Sequence, residues 1–169
     1  MKTTFRILCL AIILSAGNAC ADPVGADSDT RQKVDYPNEV KLRFLANMRD
    51  HLESLADIME ALSQGQPTRA ADIADMKLGM NSKGATACRP SDPAMSMHPM
   101  MGMTHADHLM AQLMPEEMRK LGQNMHRAAN EFSETARRTA SSGNSAAAST
   151  ALGNVIKQCT NCHAAFRVN

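Results

Sequence analysis

The feature that most constrains this chain lies at its carboxyl end, where two residues separate Cys159 from Cys162 and His163 follows directly. This spacing is typical of covalent attachment of a c-type haem. Each thiol would form a thioether to one vinyl group of the porphyrin, and the adjacent histidine would bind the iron as proximal ligand. A zinc site would need a second ligand pair, and the sequence has no other C-x-x-C. A thioredoxin-like dithiol is expected near a βαβ pattern and not on an alanine-rich helix.

The amino terminus carries the features of an export signal, which haem attachment of this kind requires. Lys2 and Arg6 form a positive region around the start of a short apolar run, residues 7–16. Ala19-Cys20-Ala21 fits a cleavage site, so residues 1–21 are predicted to be a signal peptide and the mature protein to be periplasmic. The apolar run is too short to span a bilayer. Lipid modification of Cys20 is the alternative, although its upstream residues fit that signal poorly.

Charge and composition exclude several classes of protein. Cleavage removes two of the 18 basic residues and no acidic one, which leaves 16 basic against 17 acidic residues, a net charge of −1. This balance does not favour nucleic acid or an anionic membrane as partner. Tryptophan is absent, there is one tyrosine, and helix-forming residues are abundant. We therefore predict a single all-α domain.

Apolar periodicity predicts two helices in the first half of the mature chain. The first begins after Pro37, whose missing N–H is harmless in a first turn, and ends near Gly65. The second is expected over about 68–80. The predicted inward seam of the first helix is Leu45, Met48, Leu52, Leu55, Met59 and Leu62, and that of the second is Ile73, Met76 and Met80.

Residues 81–107 break this pattern with glycines and prolines, which predicts a long loop. A third helix is expected from near Pro115, with two glutamates at the positive end of its dipole, and a fourth over about 145–167. The inward residues predicted for these helices are Met118, Leu121, Met125 and Phe132, then Leu152, Val155 or Ile156, Cys159, His163 and Phe166.

These elements predict an antiparallel four-helix bundle over residues 38–169, preceded by an extended lead-in over 22–37. Cys159 and His163 are four residues apart, so both would point the same way from one helix. The haem is therefore expected in the bundle core, near the carboxyl-terminal helix.

The run from Cys159 to Arg167, read as C-x-x-C-H-x-x-[Y/F]-R at the end of a four-helix chain, resembles the class II c-type cytochromes. These are the cytochrome c-prime group and its low-spin, methionine-ligated relatives, whereas class I cytochromes carry the motif near the amino terminus. The resemblance implies that Cys159 and Cys162 bind the porphyrin and that His163 is the proximal ligand. It also implies that Arg167 lies near a haem propionate, which suits the pairing of guanidinium with carboxylate.

The sixth ligand of this family, when present, is a methionine on the first helix, and Met48 is the match. Family members often have an arginine four residues earlier, whereas Arg43 is five residues before Met48 and Phe44 stands at the expected position. The alternative is that Met48 only fills the core, as methionine often does. His51 is a rival ligand one turn further on, but it lies off the predicted seam.

A second unusual feature is the density of methionine and histidine after Cys88, the cysteine left over from the signal and the haem motif. Thioethers and imidazoles in this pattern suit Cu(I). The alternatives are a flexible apolar lid over the haem edge or an adaptable partner surface. Cys88 could be free, pair between two chains, or bind a soft metal. The residues concerned are Met95, Met97, His98, Met100, Met101, Met103, His105, His108, Met110 and Met114.

The function expected from these features is that of a periplasmic electron carrier with one covalent haem, and not that of an enzyme. Ligation by His163 and Met48 would leave no open position for substrate. The alternatives are a gas-binding cytochrome with Met48 unbound and a copper-handling protein that uses the Met/His-rich loop. Redox proteins are the expected partners, and the resemblance implies a homodimer through the first two helices.

Overall fold

Helices make up most of the described chain, which confirms the all-α class. The computed structural model describes residues 29–89, 104–143 and 145–169. The predicted signal peptide and residues 95–103 of the Met/His-rich loop lie outside these ranges. The α-helices of the described residues are α1 (Asn38–Ser63), α2 (Pro67–Ile73), α3 (His105–Leu113), α4 (Glu116–Ser142) and α5 (Ser145–Ala165).

Local chemistry explains where several of these helices begin and end. Pro37 directly precedes α1, and its fixed φ of −52° suits the start of a helix. Gly65 and Gly143 adopt φ of 68° and 69° after α1 and α4, a backbone conformation that favours glycine. Thr104 and Asp107 form a capping box at the start of α3, in which each side chain accepts a hydrogen bond from the other residue's backbone N–H.

The predicted seam of α1 is wrong by about one residue, a rotation of roughly 100°. Leu52 is 69% exposed and Met59 is 57% exposed, whereas Leu45, Met48, Leu55 and Leu62 are only partly buried. Polar residues form much of the buried face, because one stretch of it borders a cavity and not a packed core. The buried residues of α1 are Val40, Asn47, His51, Ser54, Ile58 and Ala61.

This change of register gives a direct test by mutation. Ile58→Ala should lower the free energy of unfolding by about 2–5 kcal/mol, because Ile58 is fully buried in the core. Leu52→Ala on the same helix removes a similar volume from an exposed position and should change stability by less than about 0.5 kcal/mol. Urea unfolding of both variants in dilute solution measures the difference. Equal losses of stability in the two variants would mean that the predicted seam is correct and that Leu52 is buried.

The second predicted helix also differs from the structure. After α2 the chain continues through a π-helical turn, Ala74–Leu78, and a 3₁₀ turn follows at Thr86–Cys88. Met76, predicted to point inward, is 66% exposed, and the buried positions are instead small residues and Leu78. Such π turns interrupt regular helices and frequently mark functional sites.

The second half of the chain is closer to prediction. α4 buries Met118, Met125 and Phe132 as expected, and α5 buries Leu152 and Val155. Helix α3 was not predicted, since its first residues belong to the segment predicted as loop 81–107. Ile156, the alternative to Val155, is 40% exposed.

Two three-residue strands tie the lead-in to the end of the chain. β1 (Gln32–Val34) pairs in parallel with β2 (Phe166–Val168), so that Lys33 lies opposite Arg167. The lead-in was predicted to be extended, but this pairing was not predicted. It holds the residues before α1 beside the residues that follow the haem motif, Cys159 to His163.

Packing divides the core into two clusters that meet at the haem motif. α4 packs against α5 and α2, and α1 packs against α2 and α3. One cluster centres on Ile58, Phe132 and Val155, and Cys159 packs against it. The other joins the two strands to α3 and the start of α4, and Cys162 packs against it. No helix within the described residues combines the length and hydropathy needed to cross a bilayer.

Candidate cofactor site

A cavity of about 350 Å³ lies where the two core clusters meet, and its wall is mostly apolar. This volume falls in the range of small-molecule and cofactor sites. Each site residue predicted from the sequence lines it, although these residues come from opposite ends of the chain. Those residues are Met48, Cys159, Cys162, His163 and Arg167, together with the rival ligand His51.

The haem motif forms one wall of the cavity. Cys159 and Cys162 are partly buried free thiols, and burial raises the pKa of each. His163 lines the cavity but remains exposed, near the end of α5. The helical spacing predicted for Cys159 and His163 is present, because α5 continues to Ala165. The motif therefore presents two thiols and an imidazole to one apolar space.

Two arginines stand at the edge of this wall. Arg167 lies on β2, and Arg31 immediately precedes β1; both line the cavity. The Arg31 guanidinium donates a hydrogen bond of 3.4 Å to the backbone carbonyl of His163. Arg31 was not predicted as a site residue, because only the strand pairing brings the lead-in beside the motif.

Helix α1 contributes Met48 and His51 to the cavity wall, the two residues considered as a sixth ligand of the iron. Met48 is partly buried at the edge of the buried face, whereas His51 is buried, with 9% of its surface exposed. The expectation that His51 lies off the inward face is therefore wrong. Burial, and secondarily His126, lowers the pKa of His51 to about 4, so its imidazole is neutral at pH 7. Among the described residues, His51 Nε2 has no hydrogen-bond partner.

His126 on α4 is a cavity residue that sequence reasoning missed. It is almost fully buried, and its ring stands edge-on to that of His51, with centroids 5.6 Å apart. Its Nδ1 lies 2.6 Å from the carbonyl oxygen of Leu78, the last residue of the π turn. A carbonyl only accepts, so Nδ1 carries the hydrogen. Burial also lowers the pKa of His126, and its lone pair is therefore on Nε2.

Periodicity contained a signal for His126. It follows Met125 on the inward stripe of α4 and is three residues before Ala129 and seven before Ser133, both fully buried. Those spacings place His126 on the core side of the helix.

Methionines cover much of the remaining wall. Met110 and Met114 belong to the Met/His-rich segment and are buried beside the cavity, as are Met118 and Met125 of α4. This arrangement fits the apolar lid proposed as an alternative for that segment. His105 and His108 are exposed, whereas His98 lies outside the described residues.

Cys88 also lines the cavity, as a buried free thiol. Burial and the neighbouring Cys162 raise its pKa to about 11, so it stays protonated and weakly reactive. A Cβ at Gly122 would overlap the Cys88 sulfur, so glycine is needed there for α4 to approach the 3₁₀ turn. Because Cys88 is buried, a free thiol is favoured over a disulfide to a second chain.

The donor set fits a c-type haem better than a bare metal ion. The described residues contain no group of three or more histidine, cysteine or acidic side chains arranged for a metal. They instead offer two thiols, an imidazole from α5, a thioether from α1, a buried nitrogen without a hydrogen-bond partner and an apolar wall. Guanidinium groups at the edge suit carboxylates such as propionates.

Comparison with known proteins adds no relative to this description. No family model matches the chain, and neither a curated protein nor a solved structure matches it. Function must therefore be inferred from the motif and from the cavity.

Proposed function

We propose that this protein is a periplasmic electron-transfer cytochrome with one covalently bound c-type haem. The observation that carries the proposal is the single apolar cavity lined by Cys159, Cys162, His163, Arg167 and Met48. In this proposal α1, α2, α4 and α5 form the four-helix bundle expected from the resemblance to class II c-type cytochromes, and the cavity lies in its core.

Each cavity residue has a distinct part. Cys159 and Cys162 would bind the porphyrin through thioethers, and His163 would bind the iron from α5. Met48 would bind it from α1, and this pair of ligands would raise the reduction potential relative to two histidines. Arg167 would pair with a propionate. The haem supplies a one-electron couple, so no substrate site is needed and the protein is not an enzyme.

The cavity wall supports a carrier in a second way. Most of the wall surface is apolar, and five methionines contribute to it, so the wall would limit contact between the cofactor and water. A low local dielectric would limit the rearrangement of solvent that accompanies a change of iron charge. The function requires redox partner proteins, and neither nucleic acid nor a membrane is proposed as partner.

A homodimer belongs to the same proposal. Leu42, Leu52 and Met59 are exposed on one side of α1, and Met76 is exposed on the π turn that follows α2. Apolar groups at these positions support contact with a second copy through the first two helices, as the resemblance implies.

Optical spectra of the purified mature protein distinguish a carrier from a gas-binding cytochrome. A carrier with ligands on both sides of the iron should be low-spin in the ferric and the ferrous states. Carbon monoxide added to the ferrous protein should leave its spectrum nearly unchanged. A high-spin ferric spectrum and rapid binding of carbon monoxide would instead favour the gas-binding alternative.

A further inference from the structure

His51 Nε2 has no hydrogen-bond partner among the described residues, and ligation by His163 and Met48 leaves this feature unexplained. A buried polar atom without a hydrogen bond destabilises the folded state. His51 Nε2 is buried, no described residue satisfies it, and its ring lines the cavity. A partner brought by the cofactor would remove this destabilisation.

We propose that His51 is a second iron ligand and that it exchanges with Met48, so that Met48 binds the ferrous iron and His51 binds the ferric iron. This inference rests on the proposed function and adds a regulatory step at the same site. Electron transfer would then be gated, because the protein must move a side chain each time the iron changes charge.

The positions of the two residues on α1 allow exchange. Met48 and His51 are three residues apart, so they are neighbours on one side of the helix, and both line the cavity. Their donors differ in softness. A thioether favours ferrous iron, whereas the harder imidazole gives a lower potential and so favours ferric iron.

In this proposal His51 rests between two cavities when it is not bound to the iron. A second cavity of about 620 Å³ adjoins the first, and Asn47, His51 and Gly84 line both. His51 Nε2 lies against Gly84, so that a Cβ added there would be 2.5 Å from it. The imidazole therefore stands at the boundary between the two cavities, with space on either side.

His126 is the positioning residue for this movement. Its Nδ1–H donates to the Leu78 carbonyl, which fixes the ring, and its edge-on contact with His51 supports one side of the moving imidazole. The π turn that supplies this carbonyl thus acts on the iron ligand through His126.

The step balances in electrons and atoms. On oxidation, Met48 would release the iron and His51 would bind it, while one electron would pass to an oxidised partner protein. On reduction by a one-electron donor protein the reverse occurs. No proton moves, because the binding nitrogen gives its lone pair and the other ring nitrogen keeps its hydrogen.

Spectroscopy of both oxidation states tests the exchange in the intact holoprotein. The ferrous protein should show the upfield methyl resonance of an iron-bound methionine, and the ferric protein should lack the red charge-transfer band of a thioether. In His51→Leu that band should appear in the ferric state, because only Met48 remains. His108→Leu, at an exposed histidine, is the control and should behave as the wild type.

A glycine pair provides a second test that keeps His51. In Gly84→Ala the added methyl group occupies the resting place of the imidazole, so His51 should stay on the iron. The methionine resonance should then weaken and the reduction potential should fall. Gly153→Ala makes the same change at an open site with nothing within 4 Å and should alter neither.

Three outcomes would overturn the exchange. A thioether band in the wild-type ferric protein would mean that Met48 stays bound, and absence of the methionine resonance from the ferrous protein would mean that it never binds. If Gly84→Ala and Gly153→Ala changed the methionine resonance and the reduction potential equally, the space beside Gly84 would not be the resting position of His51, and the exchange as proposed would be overturned. Failure to find any haem on the chain is a separate result, which would overturn the proposed function itself.

Discussion

Replacing Cys159 and Cys162 together by alanine should abolish covalent attachment of haem and strongly destabilise the fold. Without the cofactor the cavity is left unfilled, and about 24 cal/mol per Å³ over about 350 Å³ gives an upper bound of roughly 8 kcal/mol. Native domains are stable by only about 5–15 kcal/mol, so a loss of this order leaves much of the chain unfolded. Circular dichroism and haem absorbance of the exported variant measure both effects.

Cys88→Ala is the matched control for this experiment. It removes a buried thiol from the wall of the same cavity but leaves the haem motif unchanged. We expect haem to remain attached and stability to fall by no more than about 1–2 kcal/mol, as for deletion of one small buried group. Equal loss of haem in the Cys88 variant would mean that the motif alone does not attach it.

Met48→Leu should lower the reduction potential while nearly preserving side-chain volume. The ferrous iron loses the soft donor that favours it, and His51 takes its place in both states. The expected fall is on the order of 0.1 V or more, within the roughly 0.8 V that axial ligation can span. Removing both ligands in Met48→Leu/His51→Leu should open the iron, give a high-spin spectrum and allow carbon monoxide to bind.

Met59→Leu on the same helix is the control for this comparison. Met59 is 57% exposed and does not line the cavity, so its replacement should leave the potential unchanged. Potentiometric titration of Met48→Leu and Met59→Leu measures the two reduction potentials. If both shift the potential equally, Met48 is not an iron ligand in either state.

Helices with one apolar stripe could be predicted from the sequence, and α1 shows why others could not. α4 and α5 each carry a single inward stripe, and five of the predicted residues are buried: Met118, Met125, Phe132, Leu152 and Val155. Leu121 and Cys159 are only partly buried, and His163 is exposed. α1 carries an exposed apolar stripe as well, while its buried face includes Asn47, His51 and Ser54. Hydropathy alone therefore selected the wrong side of α1.

The elements that were missed have weak local signals. The strands β1 and β2 are too short for periodicity to appear, and their pairing joins residues more than 130 positions apart. The π turn has no clear sequence pattern, because it depends on how α2 packs against α4. These features are consequences of tertiary contact.

The residues of the candidate site also fall into two groups, those that a local pattern predicts and those that only tertiary contact brings to the cavity. Cys159, Cys162 and His163 could be selected from the sequence because they form a local motif with fixed spacing, and all three line the cavity. His126 and Arg31 reach the cavity only through the packing of α4 and the pairing of β1 with β2. The burial of His51 beside the cavity was hidden by the error in the register of α1.

Acid–acetone extraction of the mature protein tests most directly whether its cavity holds a covalently attached c-type haem. Thioethers to Cys159 and Cys162 should keep the haem on the precipitated chain, and digestion should yield a haem-bearing peptide that contains both cysteines. A chain that carries no haem, or one whose haem passes into the acetone, would contradict the proposed function.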